Sequence, residues 1–247
     1  MFQIPDMTMD LSEQRKDYNP YSRQVADVLG VAEDGRILLK VQDTSLLQKC
    51  RQVEITPIDR RKLSGQQRRM CWALIGAIAE WQGGSKAQTM KDMVNEAMKL
   101  DLLEVAGETP EEMFSLSNAP MSTVREYQRF LIDFILENNI QTPQPLHEYA
   151  DDLKHYLYSC LANRRCCVCG KSADLHHSNL DGSRVGMGRD RTQIIHEGLS
   201  VLPLCRLHHT EIHTMPEEDF LEKYHLPEPI KLDKYLCSVL GVKATAD

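Results

Sequence analysis

The stretch "LPLCRLHHTEIH", residues 202–213, contains four side chains that can bind a metal, and they lie within nine residues. They are Cys205, His208, His209 and His213. If this stretch is helical, residues 209 and 213 lie one turn apart on a single face, whereas residue 208 points about 100° away from residue 209. The two adjacent histidines are therefore predicted to serve two different centres.

A second cluster lies upstream in "CCVCG", residues 166–170. Cys166 and Cys169 have the two-residue separation of a zinc knuckle, and Gly170 permits the tight turn that directs both sulfurs to one point. In a reducing compartment, such thiols are packing residues or metal ligands rather than disulfides. The spacing predicts one half of a zinc site.

Cys205 and His208 repeat the same separation and complete a set of three cysteines and one histidine, which suits the closed tetrahedral site of a structural zinc. Cys167 is an alternative to Cys166, but only Cys166 gives the knuckle spacing. The competing interpretation is a group of unrelated buried thiols. We predict a structural Zn²⁺ held by Cys166, Cys169, Cys205 and His208.

The other two histidines of the opening stretch, His209 and His213, need at least one more ligand to form a second site. The segment "DLHHSN" offers His176 and His177 on a predicted strand. A metal with three protein ligands keeps positions open for a phosphate oxygen and for water. A fourth histidine can then accept a proton from the attacking water, because imidazole titrates near neutral pH. The alternative is one zinc accompanied by ordinary surface histidines.

The order of these segments carries a family resemblance. "CVCG", "DLHH", a loop with glycines and arginines, and "LPLCRLHHTEIH" together resemble the HNH endonuclease superfamily over about residues 164–214. The chain looks closest to phage HNH nucleases that add a zinc clamp to the ββα-metal core. The resemblance implies metal-assisted hydrolysis of DNA phosphodiesters, leaving 3′-hydroxyl and 5′-phosphate ends. It also implies a catalytic divalent metal, which would be Mg²⁺, Mn²⁺, Ni²⁺ or Zn²⁺.

The same resemblance implies roles for individual residues. His176 corresponds to the first metal ligand, His177 to the general base, and His209 and His213 to the ligands on the helix. The middle asparagine of the superfamily has no clean match, and His196 stands in roughly its place. This would make the chain an H-H-H variant.

Two basic segments are candidates for phosphate contacts. The loop "NLDGSRVGMGRDRTQ" (179–193) combines glycines with arginines, which suits close approach to a phosphodiester. The segment "DRRKLSGQQRRM" (59–70) places cations before and within the first turns of a predicted helix, where the helix dipole disfavours them. In each case the alternative is a solvated surface. The candidate DNA-binding residues are Arg60, Arg61, Lys62, Arg68, Arg69, Arg184, Arg189 and Arg191.

Strands and helices are predicted in the N-terminal half. "GRILLKVQ" (35–42) and "RQVEITPI" (51–58) have the β-branched content and the boundaries of short strands. Apolar residues at helical spacing predict a helix from Leu63 to "QGGS", followed by helices at about 86–104 and at 122–138, with Ser122 as the N-cap of the last. The segment "VEITPIDRRKLSGQQRRMCWALIGAIAE" resembles phage NinB/Orf-type recombination proteins, which associate with single-stranded DNA and single-strand-binding protein.

Composition limits the class of protein. The chain has 247 residues, 42% of them hydrophobic and 26% charged, with no run of about 18 apolar residues and no secretory signal. We therefore expect a cytoplasmic protein without a membrane partner, located in the host cytoplasm if a phage encodes it. The formal net charge of −7 argues against a nucleic-acid interface that covers the whole surface.

The proline- and asparagine-rich segment "NNIQTPQPLHEY" (138–149) marks a predicted domain boundary. We predict an α+β fold, with an N-terminal small sheet plus helices and a C-terminal zinc-clamped ββα-metal domain.

Rival functions are a non-catalytic recombination mediator with a zinc module, and an RNA nuclease. A homodimer is a further expectation. The predicted divisions are 1–20 (flexible lead-in), 21–140 (DNA-associating domain), 141–150 (linker), 151–230 (HNH nuclease domain) and 231–247 (tail).

Overall fold

The computed structural model describes residues 26–32, 36–41, 55, 58–83, 87–182 and 194–245. Within these ranges the fold is α+β, as predicted, with seven α-helices and two small sheets. None of the described helices is long and apolar enough to cross a lipid bilayer. The strands are β1 (Ala26–Val31), β2 (Ile37–Val41), β3 (Asp174–His177), β4 (Ser200–Leu204) and β5 (Ile230–Lys231). The helices are α1 (Gly65–Trp81), α2 (Gln88–Ala106), α3 (Met121–Glu137), α4 (Leu153–Ala162), α5 (Arg206–Ile212), α6 (Glu217–Lys223) and α7 (Lys234–Val239).

The N-terminal sheet is an antiparallel pair of β1 and β2. β2 confirms the strand predicted within residues 35–42, whereas β1 was not predicted. The second predicted strand, 51–58, lies almost entirely outside the described residues, as does the predicted lead-in 1–20.

The helix predicted from Leu63 is confirmed as α1. A capping box begins it: the Ser64 side chain accepts a hydrogen bond from the Gln67 backbone N–H, and the Gln67 side chain accepts one from the Ser64 N–H. This arrangement satisfies two backbone donors at the start of the helix. The buried face of α1 carries Leu74, Ile75 and Ile78 and packs against α2 and α3.

The helix predicted at 122–138 exists as α3, but the predicted N-cap is wrong. Pro120 occupies the cap position, and Ser122 lies in the first turn with its hydroxyl donating to the Asp59 carbonyl at 3.3 Å. The cause is a long-range contact, because Pro120 forms a bridge with Lys62 and the Met121 N–H donates to the Arg61 carbonyl. The chain is therefore held extended up to Pro120 and turns into the helix directly after it.

One buried core cluster includes residues from both sides of the predicted linker. The linker 141–150 contains a 3₁₀ helix at Leu146–Tyr149, and Leu146 and Tyr149 are both buried in that cluster. α3 of the N-terminal half packs against α4 of the C-terminal half. The division into a DNA-associating and a nuclease domain stays a prediction.

The C-terminal sheet has the strand order β3-β4-β5 and is antiparallel throughout. The segment 231–247 was expected to be a tail, but it contains the end of β5 and the helix α7. The reason is a four-residue spacing of leucines, Leu232, Leu236 and Leu240, which are buried in a second cluster with Leu161 of α4. α7 thereby packs against α4.

Candidate active site and metal centres

The hairpin β3–β4 and the helix α5 form a ββα unit. β3 pairs with β4 in the register His176 to Leu202 and His177 to Val201. β4 ends at Leu204, Cys205 is the N-cap of α5, and the helix starts at the next residue. This tight connection brings the histidines of β3 and α5 close together.

Four side chains form the first candidate metal group, which we call the cysteine–histidine cluster: Cys166, Cys169, Cys205 and His208. The Cys166 and Cys205 sulfurs lie 3.4 Å and 3.3 Å from His208 Nδ1, and the Cys169 and Cys205 sulfurs are 3.6 Å apart. All four ligand atoms are within 4.8 Å of one another. Ligands on a tetrahedral zinc lie about 3.4–3.8 Å apart, given bonds of about 2.0–2.3 Å. The cluster therefore fits a structural zinc.

The knuckle has the geometry that its spacing predicts. Gly170 has φ 71°, in the left-handed region, and its N–H donates to the Cys166 carbonyl at 2.8 Å. The backbone of Cys167 is fixed by two hydrogen bonds: its N–H donates to the Pro203 carbonyl, and the Tyr156 hydroxyl donates to the Cys167 carbonyl. Of the two adjacent cysteines, only Cys166 contributes its sulfur to the cluster.

The thiols of the cluster have different electrostatic surroundings. Burial raises the pKa of Cys166 to about 12. Burial also raises the pKa of Cys205. Hydrogen bonds from the His208 backbone N–H and from the Cys169 and Cys166 side chains lower it by more, so that the pKa of Cys205 lies below the ordinary value. The Cys205 thiol therefore loses its proton more readily than an ordinary thiol, whereas zinc would have to displace the proton of Cys166.

The ring of His208 is packed between α5 and α6. Tyr224 lies edge-on to it, with ring centroids 5.5 Å apart, and the Tyr224 hydroxyl donates to both carboxylate oxygens of Glu211 at 3.0 and 3.1 Å. Lys223 also forms a salt bridge with Glu211. These contacts attach the end of α6 to α5.

Three histidines form the second candidate metal group, which we call the three-histidine cluster: His176 of β3, His209 of α5 and His213 at the end of α5. Their ligand atoms lie within 4.8 Å of one another, and their ring centroids are 5.1–5.2 Å apart. His176 is buried, His209 is half-buried and His213 is exposed. The cluster is thus closed on the side of β3 and open to solvent on the side of His213.

The buried member of the three-histidine cluster meets a chemical requirement of a metal ligand. Burial, followed by the proximity of His209, His213 and His177, lowers the pKa of His176 to about 4. The imidazole is therefore neutral near pH 7. Its Nε2 is buried and has no hydrogen-bond partner among the described residues. A buried polar atom of this kind is costly unless it is satisfied, and a divalent metal would satisfy it.

His177 lies outside the three-histidine cluster. Adjacent residues of a strand point to opposite faces, and the His177 ring instead neighbours His196, with centroids 5.4 Å apart. His196 is buried; its Nδ1 lies 2.9 Å from the Ile194 carbonyl oxygen, and its backbone N–H donates to the Lys243 carbonyl. The two histidines form a pair beside the metal-capable cluster.

Glu217 lies beside the three-histidine cluster and was not predicted from the sequence. Its Oε1 lies 3.9 Å from His176 Nε2, and its Oε2 accepts a hydrogen bond from the Asn179 N–H at 3.2 Å. A signal was available in the four-residue steps from His209 to His213 and on to Glu217. The break between α5 and α6 obscures it, because helical spacing does not apply across a turn.

The candidate phosphate-binding residues divide into two sets. Arg184, Arg189 and Arg191 lie outside the described residues. Two residues of the other set have polar partners: Arg61 forms a salt bridge with Asp59 at 2.7 Å, and Arg68 donates to the Ser117 carbonyl at 2.8 Å. The described set, all of it exposed, consists of Arg60, Arg61, Lys62, Arg68 and Arg69.

Comparison with protein-family models matches residues 40–243 to HNHc_6, a family described as "Putative HNHc nuclease". No match is found among curated proteins or among solved structures. The match extends over most of the chain and includes the ββα unit with both candidate metal groups. The chain belongs to this family of HNHc nucleases, which are phosphodiester hydrolases.

Proposed function

We propose that the protein is a metal-dependent endonuclease that hydrolyses DNA phosphodiester bonds at the three-histidine cluster. The observation that carries this proposal is the grouping of His176, His209 and His213 next to the separate pair His177 and His196. Three ligands leave positions for substrate, and an imidazole outside the ligand set can accept a proton. The cysteine–histidine cluster would hold a structural zinc that fixes α5.

The bound metal would be Mg²⁺, Mn²⁺, Ni²⁺ or Zn²⁺, and it would supply Lewis-acid stabilisation of the negative charge on the phosphate and the leaving oxygen. His177 accepts the proton of the attacking water. His196 keeps the His177 ring in position, since its own backbone N–H and Nδ1 both contact backbone carbonyls and the two rings are neighbours. The products would carry 3′-hydroxyl and 5′-phosphate ends.

The decisive experiment incubates purified protein with single-stranded, duplex and branched DNA and with RNA. Each substrate is tested with Mg²⁺, Mn²⁺, Ni²⁺ or chelator. We expect internal cleavage of DNA that depends on the added metal. DNA binding without cleavage would favour the non-catalytic recombination mediator, and cleavage of RNA alone would favour the RNA nuclease.

The exposed basic segment at the start of α1 supports DNA association by the N-terminal half, with phage recombination or replication as the proposed setting. Single-strand-binding protein and a second copy of this chain are the further proposed partners. Replacing Arg60 and Arg69 together by Ala should weaken binding to all DNA sequences alike. The log–log salt dependence should flatten by roughly one unit per lost phosphate contact. An unchanged slope in filter-binding titrations would leave the segment as a solvated surface.

A further inference from the structure

The carboxylate of Glu217 is buried although its helix begins at the surface. Its side chain is only 11% exposed, whereas the neighbouring residues Glu218 and Asp219 are both exposed. All three lie in the first turn of α6, where acidic residues favour the helix dipole. The helix dipole accounts for the presence of acidic residues in the first turn of α6. It does not explain why Glu217 faces inward, because burying a carboxylate is unfavourable without a positive partner.

One oxygen of this carboxylate has a protein partner and the other does not. Oε2 accepts a hydrogen bond from the Asn179 backbone N–H, which ties α6 to the loop that follows β3. Oε1 is buried and has no hydrogen-bond partner among the described residues. It lies 3.9 Å from His176 Nε2, which also lacks such a partner within the described part of the chain.

The separation of these two atoms decides how they can be satisfied together. At 3.9 Å they are too far apart for a hydrogen bond. Two ligands of one metal, each bound at about 2.0–2.2 Å, are at most about 4.4 Å apart. A cation bound between the atoms would satisfy both, and His176 is at the same time the buried member of the three-histidine cluster.

We propose that Glu217 Oε1 is a fourth protein ligand of the catalytic metal, beside His176. This inference rests on the proposed function, since it adds a residue to the same metal site. A carboxylate changes the chemistry of the site, because imidazole ligands favour Ni²⁺ and Zn²⁺ whereas carboxylate oxygens favour Mn²⁺ and Mg²⁺. Glu217 would thus extend the range of usable metals towards Mn²⁺ and Mg²⁺.

The test compares wild type, Glu217→Gln and Asp219→Asn, each with the zinc of the cysteine–histidine cluster in place. Mn²⁺ and Ni²⁺ are titrated calorimetrically into the full chain, and zinc content and the thermal transition are measured as controls of folding. Glu217→Gln should lower the Mn²⁺ affinity at least about 10- to 100-fold and the Ni²⁺ affinity less. Asp219→Asn, which changes an exposed acid of the same turn, should bind both metals as wild type does.

The variant Glu217→Gln also shows whether the Glu217 carboxylate is a metal ligand or only a hydrogen-bond acceptor. If Glu217 only accepted a hydrogen bond from His176, the amide oxygen of Gln would serve and the Mn²⁺ affinity would stay unchanged, which overturns the inference. If Glu217→Gln does not fold, Glu217→Asp keeps the charge but shortens the reach, and it should bind Mn²⁺ more weakly than wild type. A wild-type chain that binds no metal beyond its zinc overturns the proposed function as well. Intact wild-type binding with equal affinities in the variants overturns this inference alone.

Discussion

The two metal-capable clusters share one short helix but differ in closure. The cysteine–histidine cluster has four metal-capable side chains, and three of them, Cys166, Cys205 and His208, are buried. In the three-histidine cluster the exposure rises from the buried His176 to the exposed His213. A closed tetrahedral set is typical of structural zinc, and an incomplete set with an open side is typical of a catalytic metal.

The difference between the clusters arises from adjacent residues. His208 and His209 point about 100° apart around α5, so that one ring joins the cysteines and the other joins His176. A helix of seven residues has little stability of its own, because nucleation is unfavourable and few hydrogen bonds follow. Metal at the closed cysteine–histidine cluster should therefore be what holds the helical half of the three-histidine cluster in place.

The largest expected effect is the loss of the cysteine–histidine cluster. Cys169→Ser should release the zinc and unfold the C-terminal part, because formation of a structural zinc site is coupled to folding. Cys169 is exposed, so little packing is lost with its sulfur. Zinc content and thermal unfolding provide the measurement.

Cys160→Ser is the matched control: it changes a buried thiol outside the cluster and should lower stability while zinc stays bound. Full zinc content and an unchanged transition in Cys169→Ser would contradict the assignment.

A second test separates ligand from base around the three-histidine cluster. His177→Ala should keep metal and DNA affinity but lose cleavage by a factor on the order of 10² to 10⁴, the usual range for removal of a general base. His176→Ala should lose affinity for the catalytic metal as well. Metal titration and a nicking assay on both variants give the answer. The assignment is reversed if His177→Ala loses the metal and His176→Ala keeps it, and the nuclease proposal fails if both cleave like wild type.

The features predicted from sequence are those set by local geometry. The knuckle spacing of Cys166 and Cys169 and the helical spacing of His209 and His213 depend only on a turn and on one helical period. α1 was predictable for the same reason, since its apolar spacing and the stop after Trp81 are local signals.

The features that were missed depend on contacts between distant segments. Pro120 rather than Ser122 caps α3, because the chain pairs with Lys62 just before the helix. Glu217 reaches His176 only through the direction of the turn between α5 and α6. α7 forms where a tail was expected, because its leucines meet α4, which lies far away in the sequence. The spacing of residues in the sequence does not predict such long-range contacts.

A third and smaller effect concerns acid sensitivity of the three-histidine cluster. The pKa of His176 is lowered to about 4 in the folded chain, against an ordinary value near 6.5. Between these values the unfolded chain binds a proton that the folded chain excludes, so stability falls as pH falls through this window. Wild type without a catalytic metal should lose about 2 kcal/mol more than His176→Asn from pH 7 to pH 5. Denaturant titrations at both pH values measure the difference, and equal losses would mean that His176 titrates normally.

The smallest expected effect concerns the turn that shapes the cysteine–histidine cluster. Gly170 has φ 71°, and a Cβ built there would meet nothing within 4 Å, so that Gly170→Ala adds only backbone strain of roughly 1–2 kcal/mol. Gly198 is a matched control, with φ 83° and the same open surroundings, outside either metal cluster. Both Ala variants should lower the free energy of unfolding by a similar amount. Only Gly170→Ala should release zinc faster to a chelator, because its turn directs the Cys166 and Cys169 sulfurs to one point. Equal rates of zinc release in the two variants would show that the cluster does not depend on this turn.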